Sequence, residues 1–115
     1  MFRLLAILLC LATITFEAEA QGDPYSGNAL LSQCEIEYPR DKGETFNAGV
    51  CLGKIFGWRD MADIAFSQAF CIPQTADMKQ LIDVTLAFLR RNPHRRHERA
   101  SILWLDAMRE AYRCR

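Results

Sequence analysis

The sequence has 115 residues, with 14 Lys and Arg against 14 Asp and Glu, and half of it is hydrophobic. The balanced charge excludes the broad electrostatic footprint of a nucleic-acid or anionic-membrane binder, and the length fits one domain. A domain this small buries only about 60–70% of its unfolded surface, so covalent staples help it.

The N-terminus follows the three-part plan of a secretory signal. Arg3 supplies the positive start, and Leu4 to Ile14 form an apolar run broken only by Thr13. Ala18-Glu19-Ala20 offers small residues where a signal peptidase reads them. The run is shorter than the roughly 20 apolar residues that a membrane span needs. Leu8 and Leu9 before Cys10 do not make a lipobox. Residues 1–20 are therefore expected to be a signal peptide cleaved after Ala20. The domain is then 21–115, which stays close to neutral and has no further segment able to cross a membrane.

Gln21 to Gly27 reads as a short lead-in, with Gly, Asp, Pro and Ser. Asn28 to Glu37 is a short helix, with Leu30, Leu31, Cys34 and Tyr38 on one side, and Pro39 to Gly43 is loop. A second helix is expected from an N-cap at Thr45 to Arg59 or beyond. Gly49, Gly53 and Gly57 lie along one stripe of it. Each glycine costs up to about 1 kcal/mol in a helix interior, so another helix or a disulfide is expected to approach that stripe closely, in preference to its forming a ligand groove. Trp58 to Phe70 either continues this helix or forms a second, kinked piece before Cys71-Ile72-Pro73.

Thr75 is the expected N-cap of a third helix whose stripe is Met78, Leu81, Ile82, Thr85, Leu86 and Leu89. Arg90 and Arg91 suit its C-terminus, and Asn92-Pro93 stops it. A fourth helix covers His97 to Tyr112, with Leu103, Trp104, Ala107 and Met108 at helical spacing. No run alternates with period two. The fold class is all-α, a small disulfide-stapled bundle of four to five helices.

Beyond the signal, the cysteines are Cys34, Cys51, Cys71 and Cys114. An even count in an exported chain reads as a disulfide framework, with three possible connectivities. The last two helices share a short connection and so should be antiparallel neighbours. Cys71 at the start of one would then meet Cys114 at the end of the other, leaving Cys34 for Cys51.

Signals for catalysis are weak. There is no G-x-S-x-G, H-E-x-x-H or Walker loop. Asp60 with Asp63, and His94 with His97, lack the further ligands that a metal needs and read as surface residues. No catalytic residue, metal or cofactor is assigned. The most distinctive polar stretch is Arg90-Arg91-Asn92-Pro93-His94-Arg95-Arg96-His97. It is either a solvated turn or a positive knob for docking a partner protein, with Arg90, Arg91, Asn92, His94, Arg95 and Arg96 as candidate contacts.

Several short motifs recur in order. Cys51-Leu52-Gly53-Lys54-Ile55 with Gly57 and Asp60 resembles Y-C-x-G-Y-I-x-G-x-x-D. Cys71-Ile72-Pro73 resembles C-[IL]-P. Gln80-Leu81 follows, then Phe88-Leu89 with Asn92-Pro93 resembles Y-L-x-x-[HN]-P. Ala100-Ser101 leads into the last helix, and Ala111-Tyr112-Arg113-Cys114 resembles A-F-P-C. As a set, Cys34 to Cys114 is similar to the Rap/Tai family of immunity proteins associated with type VI secretion. Val50 and Lys54 stand where the family has aromatics, and Arg113 where it has Pro.

The resemblance implies an all-helical periplasmic protein, often a homodimer, that binds a peptidoglycan amidase toxin and inhibits it by covering its cleft. No catalysis is required. The rival readings are a chaperone-like or housekeeping periplasmic protein of the same fold without a toxin partner, and a small secreted enzyme. An adjacent amidase gene would favour the first reading, client binding after acid shock the second, and activity lost with His94 the third.

Overall fold

The computed structural model describes residues 22–115. The signal segment 1–20 and its cleavage point lie outside the described residues. Four α-helices form: α1 (Gly27–Cys34), α2 (Lys42–Ala65), α3 (Met78–Arg91) and α4 (Ala100–Ala111), with a 3-10 turn at Pro93–Arg95. No strand forms among the described residues; one isolated bridge joins Ser26 and Arg99. The all-α bundle expected from the sequence is what is observed.

Helix boundaries differ from the sequence expectation where local capping chemistry outweighs hydrophobic periodicity. Ser26 caps α1, accepting from the Ala29 N–H at 3.2 Å. The helix ends at Cys34 rather than Glu37, with Glu35 as its C-cap, its N–H donating to the Leu31 carbonyl, and with Pro39 close behind. The cap of α2 is Asp41, not Thr45. Its carboxylate accepts from the Glu44 N–H at 2.8 Å, while Glu44 accepts from the Arg40 N–H at 2.7 Å. Thr45 instead donates to the Asp41 carbonyl at 2.9 Å, inside the first turn.

The second helix does not break at Trp58; it continues to Ala65, 24 residues in all. Asp77 rather than Thr75 caps α3, accepting from the Gln80 N–H at 2.8 Å. Asp is the stronger cap, and Ala76 is still held in a turn on the Pro73 carbonyl. The fourth helix starts at Ala100, three residues later than His97, because the preceding residues pair with the N-terminal segment instead. The Gly27 and Asn28 N–H groups donate to the carbonyls of Glu98 and Arg96, and the Ala100 N–H donates to Tyr25. This close approach requires glycine: a Cβ on Gly27 would run into Leu103 Cδ1 and lie 3.1 Å from the Arg96 carbonyl oxygen.

The core is built around Trp104, which is fully buried, with Leu30, Ile55, Leu81, Leu89, Leu103 and Met108 around it. Phe70 meets the Trp104 ring edge-on at 5.9 Å, and Trp58 lies at the same distance, tilted. Both disulfides join the expected partners, Cys34 to Cys51 and Cys71 to Cys114. The first fixes α1 on α2. The second closes the base of the α3–α4 pair, where the Cys71 N–H also donates to the Tyr112 carbonyl at 2.7 Å.

Candidate partner-docking surface

Helix α3, the 3-10 turn and the start of α4 position the arginine stretch. Its residues do not form one uniform positive patch. Arg90 faces α1 and pairs with Glu35 at 3.1 Å, whereas Arg91 faces α4 and pairs with Glu110 at 2.7 Å. Both pairs are about half exposed, and such pairs contribute only about 0–1 kcal/mol. Their guanidinium groups can therefore be exchanged cheaply onto a partner.

Arg95 is committed differently. Its guanidinium donates to both Glu98 oxygens and to Asp106, each at 2.8 Å, and lies over the Phe88 ring. These bonds raise the Arg95 pKa further and hold the Glu98 carboxyl below the usual carboxylate range. Arg95 thus acts as an internal brace, tying the turn to α4. Asn92 closes α3, its side-chain amide donating to the Phe88 carbonyl at 2.9 Å. The Arg96 side chain is half-buried, and its carbonyl accepts from Asn28. His94 and His97 are exposed.

The structure adds a feature that the sequence reading missed. A groove of about 710 Å³ runs between the end of α1, the loop after it, α2 and α3. Leu52, Ile82 and Leu86 line it together with charged Glu35, Asp83, Lys79 and Arg90. Arg90 is the one arginine of the stretch that lines it. Tyr38, expected on the apolar side of the first helix, instead stands at the groove's edge, 82% exposed, because α1 ends at Cys34 and leaves it in the following loop.

One expectation changes. Nothing within 4 Å would meet a Cβ on Gly49, Gly53 or Gly57, so no other part of the described chain packs on the glycine stripe, which faces outward. Lys54, standing at a position where the family pattern has an aromatic, donates to the Pro24 carbonyl at 2.9 Å and to Gln33 at 3.0 Å. Burial pushes its pKa down. It ties the lead-in segment and α1 to α2. Among the described residues no group of three His, Cys, Asp or Glu is placed to hold a metal ion, and no helix is long and apolar enough to cross a membrane.

A family model described as Rap1a immunity proteins matches residues 26–114. No curated protein and no solved structure matches the chain.

Proposed function

The chain belongs to the Rap1a immunity protein family, and from that membership we propose that it is a periplasmic inhibitor, exported by its first 20 residues, that binds and occludes a peptidoglycan amidase delivered by type VI secretion. The match across nearly the whole described domain carries the reading. The bundle supports it physically. Occlusion needs a rigid, pre-shaped surface, because ordering a loose one on binding costs affinity. The turn after α3 is braced by Arg95 and by backbone bonds to the N-terminal segment.

In this reading the docking knob comprises Arg90, Arg91, Asn92, His94, Arg95 and Arg96. Arg90, Arg91 and His94 contact the toxin, while Arg95 keeps the knob in shape. The groove beside Arg90 extends the contact surface. A homodimer is part of the reading, as is the absence of any catalytic step.

The test is co-expression in a host periplasm with the amidase encoded beside the gene, together with affinity capture of that amidase. Expected are rescue of cell lysis and a stable complex. Arg90→Glu with Arg91→Glu should weaken capture by about tenfold or more, as for interface arginines generally. A chain that neither rescues nor binds overturns the proposal.

A further inference from the structure

Most of the large hydrophobic side chains that remain exposed are on one helix: Phe46, Leu52, Phe56, Met61 and Ile64 all belong to α2. Phe46, Phe56 and Ile64 lie on the side opposite the buried Cys51, Ile55 and Ala62, and Met61 lies on a flank. A surface helix is ordinarily polar on the side away from its core, and one that is apolar all round is covered on both sides.

The outward stripe has an internal order. It reads Lys42, Phe46, Gly49, Gly53, Phe56, Asp60, with steps of four, three, four, three and four residues. The steps are symmetric about the level of Cys51, midway between the two glycines. The side-chain types mirror each other as well, glycine with glycine and phenylalanine with phenylalanine. The ends carry opposite charges, and neither Lys42 nor Asp60 is in an ion pair among the described residues.

A face of this kind is complementary to itself run antiparallel. With a two-fold axis between Gly49 and Gly53, Phe46 of one copy lies against Phe56 of the other, and Lys42 against Asp60, twice over. The glycines, open to solvent, let the two backbones approach closely. Parallel pairing would instead set like charge on like charge. The exposed parts of Phe46, Phe56 and Ile64 amount to something on the order of 400 Å². That is about half of the roughly 800 Å² per partner of a specific interface, and an apolar centre with a charged rim matches its anatomy.

We propose that the outer face of α2 is the homodimer interface, two copies packing antiparallel across a two-fold axis between Gly49 and Gly53. This rests on the homodimeric part of the reading above and is independent of which toxin is bound.

The experiment is light scattering of the exported, disulfide-intact chain over a micromolar dilution series. The native chain should have the mass of two copies. Gly53→Leu should keep the helical spectrum and both disulfides, since its side chain meets open space within the protomer, yet weaken association by about tenfold or more. Asp60→Lys should weaken it severalfold, and Lys42→Asp combined with Asp60→Lys should recover it, because the reversed pair is again complementary. A native chain that stays monomeric overturns the homodimer itself. A dimer that survives both Gly53→Leu and Phe56→Glu unchanged leaves the homodimer standing and overturns this surface.

Discussion

Arg95 shows how a residue chosen for its charge can be held by its geometry. In the sequence it is one of several arginines in a short basic stretch. In the fold its guanidinium is shared between Glu98, three residues on, and Asp106 on α4. The stretch was legible; its partners were not, because the carboxylates that bind Arg90, Arg91 and Arg95 lie 55, 19 and 11 residues away at their farthest, and only tertiary structure brings them together. The brace has a pH signature. Glu98 is held below the ordinary carboxylate range by its bonds to Arg95, so the folded state binds that proton less readily than the unfolded chain. Its contribution is present above the ordinary carboxylate range and is lost as pH falls through the depressed folded value. Glu98→Gln should therefore lower Tm at neutral pH and make the acid-side decline of Tm shallower, as read by thermal unfolding across an acid series. Equal acid dependence in the variant and the native chain would exclude the brace.

At the scale of the element, the four helices follow from apolar spacing, and their ends follow from chemistry that spacing does not reveal. The Asp41-x-x-Glu44 pattern at the start of α2 is a cap signature, but Thr45 stands closer to the first apolar residue, Phe46, and hydrophobic spacing alone points to it. The start of α4 was illegible for a different reason: residues 96–99 give up helical bonding to pair with residues 25–28, a contact between distant parts of the chain. The glycines divide in the same way. At Gly49 a Cβ meets nothing, so Gly49→Ala should raise the urea stability of the protomer by about 0.5–1 kcal/mol, the ordinary helix-propensity gain. At Gly27 a Cβ collides with Leu103 and the Arg96 backbone, so Gly27→Ala should lower it by about 1–3 kcal/mol, the usual cost of overpacking. Opposite signs from one substitution type would show that the α2 glycines are not needed by the protomer's own packing.

For the whole molecule, the two disulfides staple different halves of a domain too small to rely on its core alone. Their pairing was legible because a short α3–α4 connection forces antiparallel packing. Which staple is vulnerable was not, since that depends on burial. In the chain-entropy view, loops of 17 and 43 residues contribute about 3 and about 4 kcal/mol, large shares of the roughly 5–15 kcal/mol that stabilises a typical domain. Cys34 and Cys51 are 7% and 2% exposed, whereas Cys71 and Cys114 are exposed. Exchange requires a thiolate to reach a sulfur, so the longer, more stabilising loop is closed by the more accessible bond. Mild reductant under native conditions should therefore open Cys71–Cys114 first, with Cys34–Cys51 persisting until the bundle unfolds. Alkylation followed by mass mapping would read the order, and simultaneous labelling of all four cysteines would refute it. The bond that opens first closes the base of the α3–α4 pair. The far end of that pair, braced by Arg95 and by the pairing with residues 25–28, should then keep its amide-exchange protection while Cys71, Tyr112 and their neighbours lose theirs.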